Sequence, residues 1–503
     1  MRGDLQWGAI PGLLRDAASR HGERVAIEDG QVSLTFSELL AVVERAARGL
    51  WSMDIVHGDR VAIWAPNVWE WVVAALAIHE VGGVLVPINT RYKGAEARYI
   101  IDKSGAKALF TVDGFLGLDF ASMLERPDLP TVIFRQNWDA FLEAGTDGTS
   151  TTTGDDLSDI LFTSGTTGHP KGVMTTHAQS LRAFADWSEV VGLRAGDRYL
   201  VVAPFFHCFG YKAGWLACLM TGATIVPQPV FDAAAVLERV GRDRISVLPG
   251  PPALYQSFLL KDLDGIDLSS LRLAVTGAAS IPVRLIERMR DELGFETVIT
   301  GYGLTEACGI ATMCRFDDDP ETIAKTSGRA IPEVEVLVVD PDGNEVERGQ
   351  PGEVVVRGYN VMTGYFDDPE NTADAIRDGW LHTGDIGVMD ERGYLRITDR
   401  LKDMFICGGF NAYPAEIEHA LLEHDAVADV AVIGIPDPRL GEVGMAWIVP
   451  NGELDSDALI AWARERLANF KVPRRVALID ALPRNASAKV MKFELRERYE
   501  RMA

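Results

Sequence analysis

Cysteine is scarce in this sequence, since 503 residues contain only five. They form no Cys-x-x-Cys pair and no cysteine and histidine spacing suited to zinc. An odd, scattered set of thiols excludes a disulfide-stapled scaffold and a structural zinc module. It predicts a reducing, cytoplasmic location.

Positive charge is also in short supply. Lys and Arg number 49 against 73 Asp and Glu, which gives a net charge of −24. Such a field repels nucleic acid and anionic membrane surfaces, so neither is expected as a partner. An anionic substrate would have to be received by local Lys, Arg, magnesium or backbone N–H groups.

Long apolar runs are missing as well. No window reaches the roughly 18–20 apolar residues of a membrane-spanning helix, so we expect no transmembrane segment. The amino terminus is interrupted by Gln6, Arg15 and Asp16, and we therefore expect no signal peptide.

The chain has the composition of a globular protein, with 47% hydrophobic and 24% charged residues, and its length predicts at least two domains. Helical patterns alternate with short β-rich runs over residues 10–240, which is typical of parallel α/β layers. Within this region, residues 35–51 resemble a capped amphipathic helix, and residues 144–156 predict a loop or linker.

Short alternating strands begin near residue 330 and predict a small β-barrel or sheet over about 330–400. Beyond it, a helix starting near Pro414 and a strand from Val427 to Ile435 indicate a separate α+β domain. We predict one domain over residues 1–401 and a second over 402–503.

The most specific local motif follows the apolar run at 160–162. Its small residues let the backbone approach a polyphosphate, its hydroxyl and N–H groups can donate to phosphate oxygens, and Lys171 adds a compact positive charge. It is not a Walker A loop, because Pro170 precedes Lys171 and Gly172 follows it. A turn of this composition is as often a plain surface loop. The full motif reads Thr163-Ser164-Gly165-Thr166-Thr167-Gly168-His169-Pro170-Lys171-Gly172.

This motif resembles the signature of the adenylate-forming superfamily, which includes acyl-CoA synthetases, luciferases and peptide-synthetase adenylation domains. Taken alone, an acidic or basic residue in such a motif could cap a helix, end a turn or join a surface ion pair. Four motifs in the family's order, across more than 200 residues, favour the family. The other three are Gly301-Tyr302-Gly303-Leu304-Thr305-Glu306, Trp380-Leu381-His382-Thr383-Gly384-Asp385 and Asp399-Arg400-Leu401-Lys402-Asp403.

The resemblance implies a role for each motif. Thr305 would contact the α-phosphate and act in catalysis, and Glu306 would help to hold magnesium. Asp385 would hold the ribose hydroxyls, as a carboxylate can accept from both. The remaining nucleotide contacts implied are Thr163, Ser164, Gly165, Thr166, Thr167, Gly168 and Lys171 on the phosphates, Tyr302, Gly303 and Ala278 around adenine, Arg400 on ribose, and Lys402 at the hinge between domains.

Near the carboxyl terminus, residues 482–492 resemble the family's last motif, whose lysine reaches the reacting carboxylate and the α-phosphate. That role falls to Lys489, where an ammonium would stabilise charge that builds in the transition state. The sequence departs from the family at Ala488, where glycine is usual. If the position needs a positive φ, alanine costs about 1 kcal/mol. Lys492 is a rival that we expect to serve solvent or ribose instead.

Two further segments are assigned by the resemblance. Gly408 and Gly409 would line the pantetheine tunnel of coenzyme A after a domain movement, although an ordinary turn before a helix is the alternative. His207 would gate the acyl site as a catalytic residue, although a lone histidine in an apolar run is as often part of the core.

Lys212 stands in an almost wholly apolar run from Phe205 to Met220 without an acidic neighbour. We expect it either to extend its ammonium to the surface or to meet a polar group. Our hypothesis for that group is a keto oxygen or second carboxylate of a bulky acyl substrate. The segment from Phe206 to Lys212 resembles actinobacterial synthetases that activate steroid-ring remnants, such as a ring-bearing propanoate.

The resemblance covers about residues 10–495 and implies the adenylate-forming α/β fold. That fold has a large N-terminal domain of α/β layers with a β-barrel subdomain, and a small, mobile α+β domain. The implied enzyme is an ATP-dependent, AMP-forming acyl-CoA synthetase acting on a steroid-derived propanoate or a fatty acid. Its partners would be the acid, ATP, Mg²⁺ and coenzyme A, and its oligomeric state is open. The alternatives are an enzyme that loads a carrier protein's phosphopantetheine and a nucleotide-binding protein that has lost catalysis.

Overall fold

The computed structural model describes residues 2–163, 170–277, 281–400, 403–407, 410–467, 469–484 and 490–502. Side chains are described throughout these ranges except at 399, 400, 410 and 411. The chain divides into two compact units, the first comprising Met1–Val336 and Val356–Leu381 and the second Leu337–Val355 and His382–Ala503.

Helices occur along the whole chain. A π-helical turn, Tyr211–Leu216, lies between two of them, and a 3₁₀ turn covers Thr305–Ala307. The α-helices are α1 (Gly3–Trp7), α2 (Ile10–His21), α3 (Phe36–Ser52), α4 (Trp69–Glu80), α5 (Gly94–Ser104), α6 (Phe120–Leu124), α7 (Trp138–Glu143), α8 (His177–Val191), α9 (Cys208–Gly210), α10 (Ala217–Thr221), α11 (Ala233–Arg242), α12 (Pro252–Leu259), α13 (Val283–Asp291), α14 (Pro320–Lys325), α15 (Pro369–Ala375), α16 (Pro414–Leu421), α17 (Ser456–Arg464) and α18 (Lys492–Met502).

Strands alternate with these helices in the first three hundred residues and dominate the middle of the chain. They are β1 (Val25–Asp29), β2 (Val32–Thr35), β3 (Arg60–Trp64), β4 (Val84–Pro87), β5 (Ala108–Thr111), β6 (Asp113–Phe115), β7 (Leu118–Asp119), β8 (Thr131–Ile133), β9 (Leu157–Thr163), β10 (Lys171–Thr176), β11 (Arg198–Val201), β12 (Thr224–Pro227), β13 (Leu273–Gly277), β14 (Thr297–Tyr302), β15 (Thr312–Met313), β16 (Arg329–Ala330), β17 (Val334–Val339), β18 (Pro351–Gly358), β19 (Gly364–Tyr365), β20 (Ile376–Arg377), β21 (Trp380–Met389), β22 (Leu395–Arg400), β23 (Phe405–Cys407), β24 (Phe410–Ala412), β25 (Val427–Asp437), β26 (Gly441–Pro450) and β27 (Arg475–Leu478).

Two large sheets form the first unit. The first has the order β19-β10-β9-β4-β3-β5-β8 and is parallel from β9 to β8, with β10 and β19 antiparallel at one edge. The second begins with β2-β1-β12-β11 and continues through Val247, which bridges to β13, into β14, β15 and β16. Because binding sites in such sheets lie at the carboxyl ends of parallel strands, the ends of β9 and β14 are the places to look for one.

The layers of the first unit are stabilised by helices that carry a strong apolar face or are apolar all round. Helix α4 is buried along nearly its whole length, including Trp71 and Leu76, as expected for a helix enclosed by other layers. Helix α3 packs beside it and begins with a capping box in which Thr35 and Glu38 exchange hydrogen bonds of 3.2 and 2.8 Å. This confirms the predicted capped helix.

The second unit contains a five-stranded sheet of order β24-β23-β26-β25, with β27 parallel to β26. Strands β25 and β26 pair from Val427 opposite Pro450 to Asp437 opposite Gly441, and α16 and α18 pack on β25. The predicted helix start at Pro414 and the predicted strand after Val427 are confirmed. A second five-stranded sheet, of β17, β18, β21, β20 and β22, confirms the strands expected after residue 330.

The predicted α/β layers are confirmed, and residues 144–156 form no helix or strand, as predicted. The predicted boundary between residues 401 and 402 lies outside the described residues and stays a prediction. Within the described ranges, no helix is both long and apolar enough to cross a membrane.

Candidate nucleotide and acyl site

The predicted phosphate motif is flanked by an antiparallel strand pair. Thr163 ends β9, Lys171 begins β10, and the two residues are direct partners in the ladder. Both are half-buried. The intervening predicted residues Ser164, Gly165, Thr166, Thr167 and Gly168 lie outside the described residues, so their phosphate contacts stay predictions.

Lys171 has two contacts that the sequence does not suggest. Its Nζ donates a hydrogen bond to Asn371 Oδ1 of α15 and lies 5.2 Å from the centre of the Tyr365 ring. Asn371 is fixed in turn, since its Nδ2 donates to both carboxylate oxygens of Asp368 at 2.9 Å. The ammonium is therefore fixed by a hydrogen bond and by the negative face of an aromatic ring.

The second predicted motif follows the carboxyl end of β14. Tyr302 is the last residue of this strand and pairs with Thr312 of β15. Gly303 follows, and a Cβ there would lie 2.2 Å from the Gly309 carbonyl oxygen, so only glycine fits this position. Thr305 opens the 3₁₀ turn and is half-buried. Ala278 lies outside the described residues.

Glu306, in the same turn, is fixed at two points by one segment of chain. Its backbone oxygen accepts from the Met362 N–H at 2.8 Å, and its Oε1 accepts from the Tyr365 hydroxyl at 3.0 Å. Among the described residues no partner is found for Oε2. Burial, and then the Glu306 charge, raise the pKa of Tyr365 well above its usual value, so the phenol is the donor.

The surroundings of Glu306 fit magnesium bound mainly by a nucleotide. Within the described ranges, no group of three or more His, Cys, Asp or Glu side chains could enclose a metal ion. Mg²⁺ commonly takes only one or two protein carboxylates and completes its shell with phosphate and water. A single half-buried carboxylate, whose second oxygen has no partner among the described residues, is consistent with that arrangement.

The predicted ribose ligands lie together in the second unit. Asp385 on β21 is the direct backbone partner of Arg400 on β22 in the antiparallel ladder. The backbone before Asp385 is fixed, because Thr383 Oγ1 donates to the Val354 oxygen at 2.7 Å and accepts from the Asp385 N–H at 3.1 Å. Asp385 is nearly buried, with 4% of its surface exposed.

The predicted catalytic Lys489, its neighbour Ala488, the hinge residue Lys402, and Gly408 and Gly409 lie outside the described residues. For the rival Lys492 the expected solvent role was wrong, whereas the ribose role stays a prediction. Its Nζ lies 2.8 Å from Glu418 Oε1 with 14% of its side chain exposed, so it forms an ion pair within the second unit and does not serve solvent.

His207 caps the short helix α9 at the start of the predicted acyl segment. Its Nδ1 accepts from the Phe209 N–H at 3.1 Å, and the residue is exposed. An accepting Nδ1 leaves the proton of a neutral ring on Nε2. His207 is therefore not a core residue, and its role as a gate stays a prediction.

The structure confirms that Lys212 meets polar groups, but they belong to the protein, so the expected surface position and the expected substrate contact were both wrong. The side chain is fully buried in the π-helical turn, and its Nζ lies 3.1 Å from Asp159 Oδ1, donates to Thr175 Oγ1 at 2.7 Å and lies 3.6 Å from Cys308 Sγ. Burial alone would lower the pKa of Lys212, but Asp159 outweighs it and raises that pKa. With three partners for three N–H groups, this lysine neither reaches the surface nor is left for a substrate.

The buried ion pair of Asp159 and Lys212 joins the segments that carry the motifs. Asp159 lies on β9 and Thr175 on β10, so both belong to the strands that flank the phosphate motif. Cys308 follows the turn that contains Glu306, and Lys212 follows the segment of His207. The pair therefore links the phosphate, metal and acyl segments through the core.

Sequence reasoning missed the segment from Met362 to Asn371. It contacts both Lys171 and Glu306, yet it contains no glycine-rich run, and its acidic residues Asp367, Asp368 and Glu370 match no nucleotide-binding motif. The only available signal was Gly364-Tyr365 followed by an Asp-Pro helix start, which is typical of many ordinary turns.

Known proteins resemble this chain over most of its length. Residues 14–366 match the AMP-binding enzyme family, and residues 416–489 match the AMP-binding enzyme C-terminal domain. Two relatives share the name 3-[(3aS,4S,7aS)-7a-methyl-1,5-dioxo-octahydro-1H-inden-4-yl]propanoyl:CoA ligase. The one from Rhodococcus jostii is 50% identical and the one from Mycobacterium tuberculosis 52% identical, each over 97% of this chain and 98% of the relative.

A solved structure adds a ligand complex to the comparison. The O-succinylbenzoate coenzyme A synthetase of Bacillus subtilis, in complex with ATP and magnesium ion, superposes with a TM-score of 0.85 at 30% identity. The superposition covers 96% of this chain and 99% of that one.

Proposed function

This chain belongs to the family of AMP-binding enzymes, and we propose that it joins a ring-bearing, steroid-derived propanoate to coenzyme A. It is an AMP-forming acid–thiol ligase. In the first half-reaction a carboxylate oxygen attacks the α-phosphorus of ATP and pyrophosphate leaves. In the second, the coenzyme A thiolate attacks the acyl carbonyl of the adenylate and AMP leaves.

The observation that carries the choice of acid is the shared name of the two relatives, each half identical to this chain over almost its whole length. Both names specify a propanoate on a methylated bicyclic diketone. Their agreement supports the same substrate class here. A fatty acid is the second candidate and is supported by the wider family alone.

We assign the nucleotide contacts as follows. Thr163, Lys171 and the residues between them would bind the phosphates, and Asp385 with Arg400 would bind ribose. Magnesium, held by Glu306 and the phosphates, would neutralise charge on the departing pyrophosphate. Thr305 would contact the α-phosphate.

The five cysteines are all buried and unpaired, as expected for proteins of a reducing compartment. We therefore also propose a cytoplasmic location. Immunodetection of the protein in the cytosolic fraction of its own host would test it, and its recovery with the cell envelope would contradict it.

The decisive experiment is a thioester-formation screen with ATP, Mg²⁺ and coenzyme A. The acids are short, medium and long fatty acids, aromatic acids and the bicyclic dione propanoate. We expect kcat/KM to be highest for the dione propanoate, by about tenfold or more over any fatty acid, since a rigid ring loses less conformational entropy on binding than a flexible chain does. A fatty acid with the higher kcat/KM would contradict the proposed substrate.

The same assay separates the other readings. If acyl-AMP accumulates without thioester for every acid, the enzyme loads a carrier protein and not free coenzyme A. If no acid supports pyrophosphate exchange, the chain is a nucleotide-binding protein without catalysis.

A further inference from the structure

Tyr365 lies between the two charged groups that would bind the phosphates and the metal. We propose that Tyr365 is a positioning residue that orients Glu306 for magnesium and sets its distance from Lys171. This inference rests on the proposed function, because it takes Glu306 as the metal ligand.

Two residues of one short segment, Met362 and Tyr365, both form hydrogen bonds with Glu306. Met362 donates its N–H to the Glu306 backbone oxygen at 2.8 Å, and Tyr365 donates its hydroxyl to Oε1 at 3.0 Å. A free glutamate side chain samples several rotamers, and fixing it costs conformational entropy. Two contacts that fix the backbone and one carboxylate oxygen lower that cost before any ligand binds.

The segment that fixes Glu306 is itself anchored on the phosphate strands. Tyr365 pairs with Val173 of β10, and its N–H donates to Thr372 Oγ1 at 2.9 Å. Phe366 donates its N–H to the Gly172 oxygen at 2.7 Å. Tyr365 therefore lies on a strand that pairs with β10, the strand that Lys171 begins, and its backbone is held in place there.

The same ring also contacts the phosphate lysine. Lys171 Nζ lies 5.2 Å from the ring centre, within the range of a cation–π contact. One aromatic side chain thus touches the cation at the phosphate motif with its face and the metal carboxylate with its hydroxyl. A charge-assisted hydrogen bond to one oxygen of a carboxylate orients the whole group. The bond from Tyr365 to Oε1 therefore sets the direction in which Oε2 of Glu306 faces.

The test is Tyr365→Phe, which removes the hydroxyl and keeps the ring beside Lys171. Mn²⁺ affinity is measured by electron paramagnetic resonance with a non-hydrolysable ATP analogue bound. We expect affinity to fall roughly tenfold, as for other residues that orient a metal ligand. KM for the acid should stay within twofold, since the phenol makes no contact that we assign to the acyl group.

Tyr359→Phe is the matched control. Its hydroxyl also donates to a carboxylate, Asp186 Oδ2 at 2.6 Å, and both tyrosines are half-buried. A merely structural role predicts that both variants lower the melting temperature alike and leave Mn²⁺ affinity unchanged. Equal Mn²⁺ affinity in wild type and Tyr365→Phe would overturn the inference.

A double-mutant cycle with Glu306→Gln shows whether the phenol acts through the carboxylate. In that background Tyr365→Phe should cause no further loss of Mn²⁺ affinity, and an additional tenfold loss would overturn the inference. Failure of the proposed function looks different, because wild-type enzyme would then form no adenylate with any acid. Adenylate formation by the wild type with unchanged affinity in Tyr365→Phe leaves the function standing and removes only this inference.

Discussion

Lys489 and Lys492 are three positions apart and should differ sharply in function. We expect Lys489→Ala to slow acyl-adenylate formation by about a hundredfold or more, the usual effect of removing a group that stabilises transition-state charge. Transfer from supplied acyl-AMP to coenzyme A should stay close to wild type. Pyrophosphate exchange and thioester formation, assayed separately, measure the two steps.

Lys492→Ala is the control for this prediction. It removes a lysine of the same motif whose Nζ is already paired with Glu418 at 2.8 Å, so it should lower stability slightly and leave adenylation intact. Equal loss of both half-reactions in Lys489→Ala would contradict the role assigned to that residue.

The burial of His79 predicts that the folded protein loses stability in acid. Its Nε2 donates to the Ser158 oxygen at 3.1 Å, and burial lowers its pKa to about 4. The unfolded chain, with an ordinary pKa near ~6.5, binds the proton more readily, so the stabilising contribution is full above that pH and is lost as pH falls towards 4. The loss would be about 3 kcal/mol for this group. Buried His177, whose pKa is also lowered, would add to it in the same direction.

Melting temperature measured from pH 7.5 to 4 tests this. His79→Gln, whose amide can still donate to Ser158, should flatten the acid branch of the curve. His57→Gln removes an imidazole that is 46% exposed and should leave the slope as it is. If the melting temperature of His79→Gln falls with pH as steeply as that of the wild type, another group controls the acid transition.

At the scale of whole elements, the pair of Asp159 and Lys212 connects strand β9 to the π-helical turn through the core. Lys212→Met leaves a buried carboxylate without its cation and should destabilise the protein by about 3–5 kcal/mol. The double variant Lys212→Met with Asp159→Asn should recover at least half of that loss, because no unpaired charge remains. Thermal or urea unfolding of the wild type, the two single variants and the double variant measures the coupling. A double variant as unstable as the sum of the singles would contradict it.

This pair also shows where sequence reasoning stops. Periodicity and caps were enough to predict helix α3, the strand at Val427 and the α/β layers, because each depends on residues close in sequence. Lys212 was misjudged because its partner Asp159 lies on a distant strand and only the sheet order brings them together. The assignment of Asp385 and Arg400 to ribose came from motif order, whereas Tyr365 beside Glu306 depends on β19 adding to the edge of a sheet.

The charge of the whole molecule should influence its kinetics. A net charge of −24 opposes the approach of highly anionic coenzyme A at low ionic strength. Raising salt from about 10 to 100 mM shortens the screening distance, so kcat/KM for coenzyme A should rise roughly two- to threefold. Pantetheine, which carries the thiol without the phosphates, should show no rise. If kcat/KM for coenzyme A falls with salt while that for pantetheine does not, local cationic contacts dominate the binding of coenzyme A.

All five cysteines are buried thiols, from Cys208 in the acyl segment to Cys407, which has 2% of its surface exposed. An activated acyl phosphate anhydride reacts readily with any thiolate it can reach, and sulfur kept inside the core is protected by burial. The enzyme's own cysteines are therefore kept from competing with coenzyme A for the acyl-adenylate. Self-acylation and mixed disulfides with the cosubstrate are avoided by where these side chains lie, so that the incoming thiol is the nucleophile the activated acid meets.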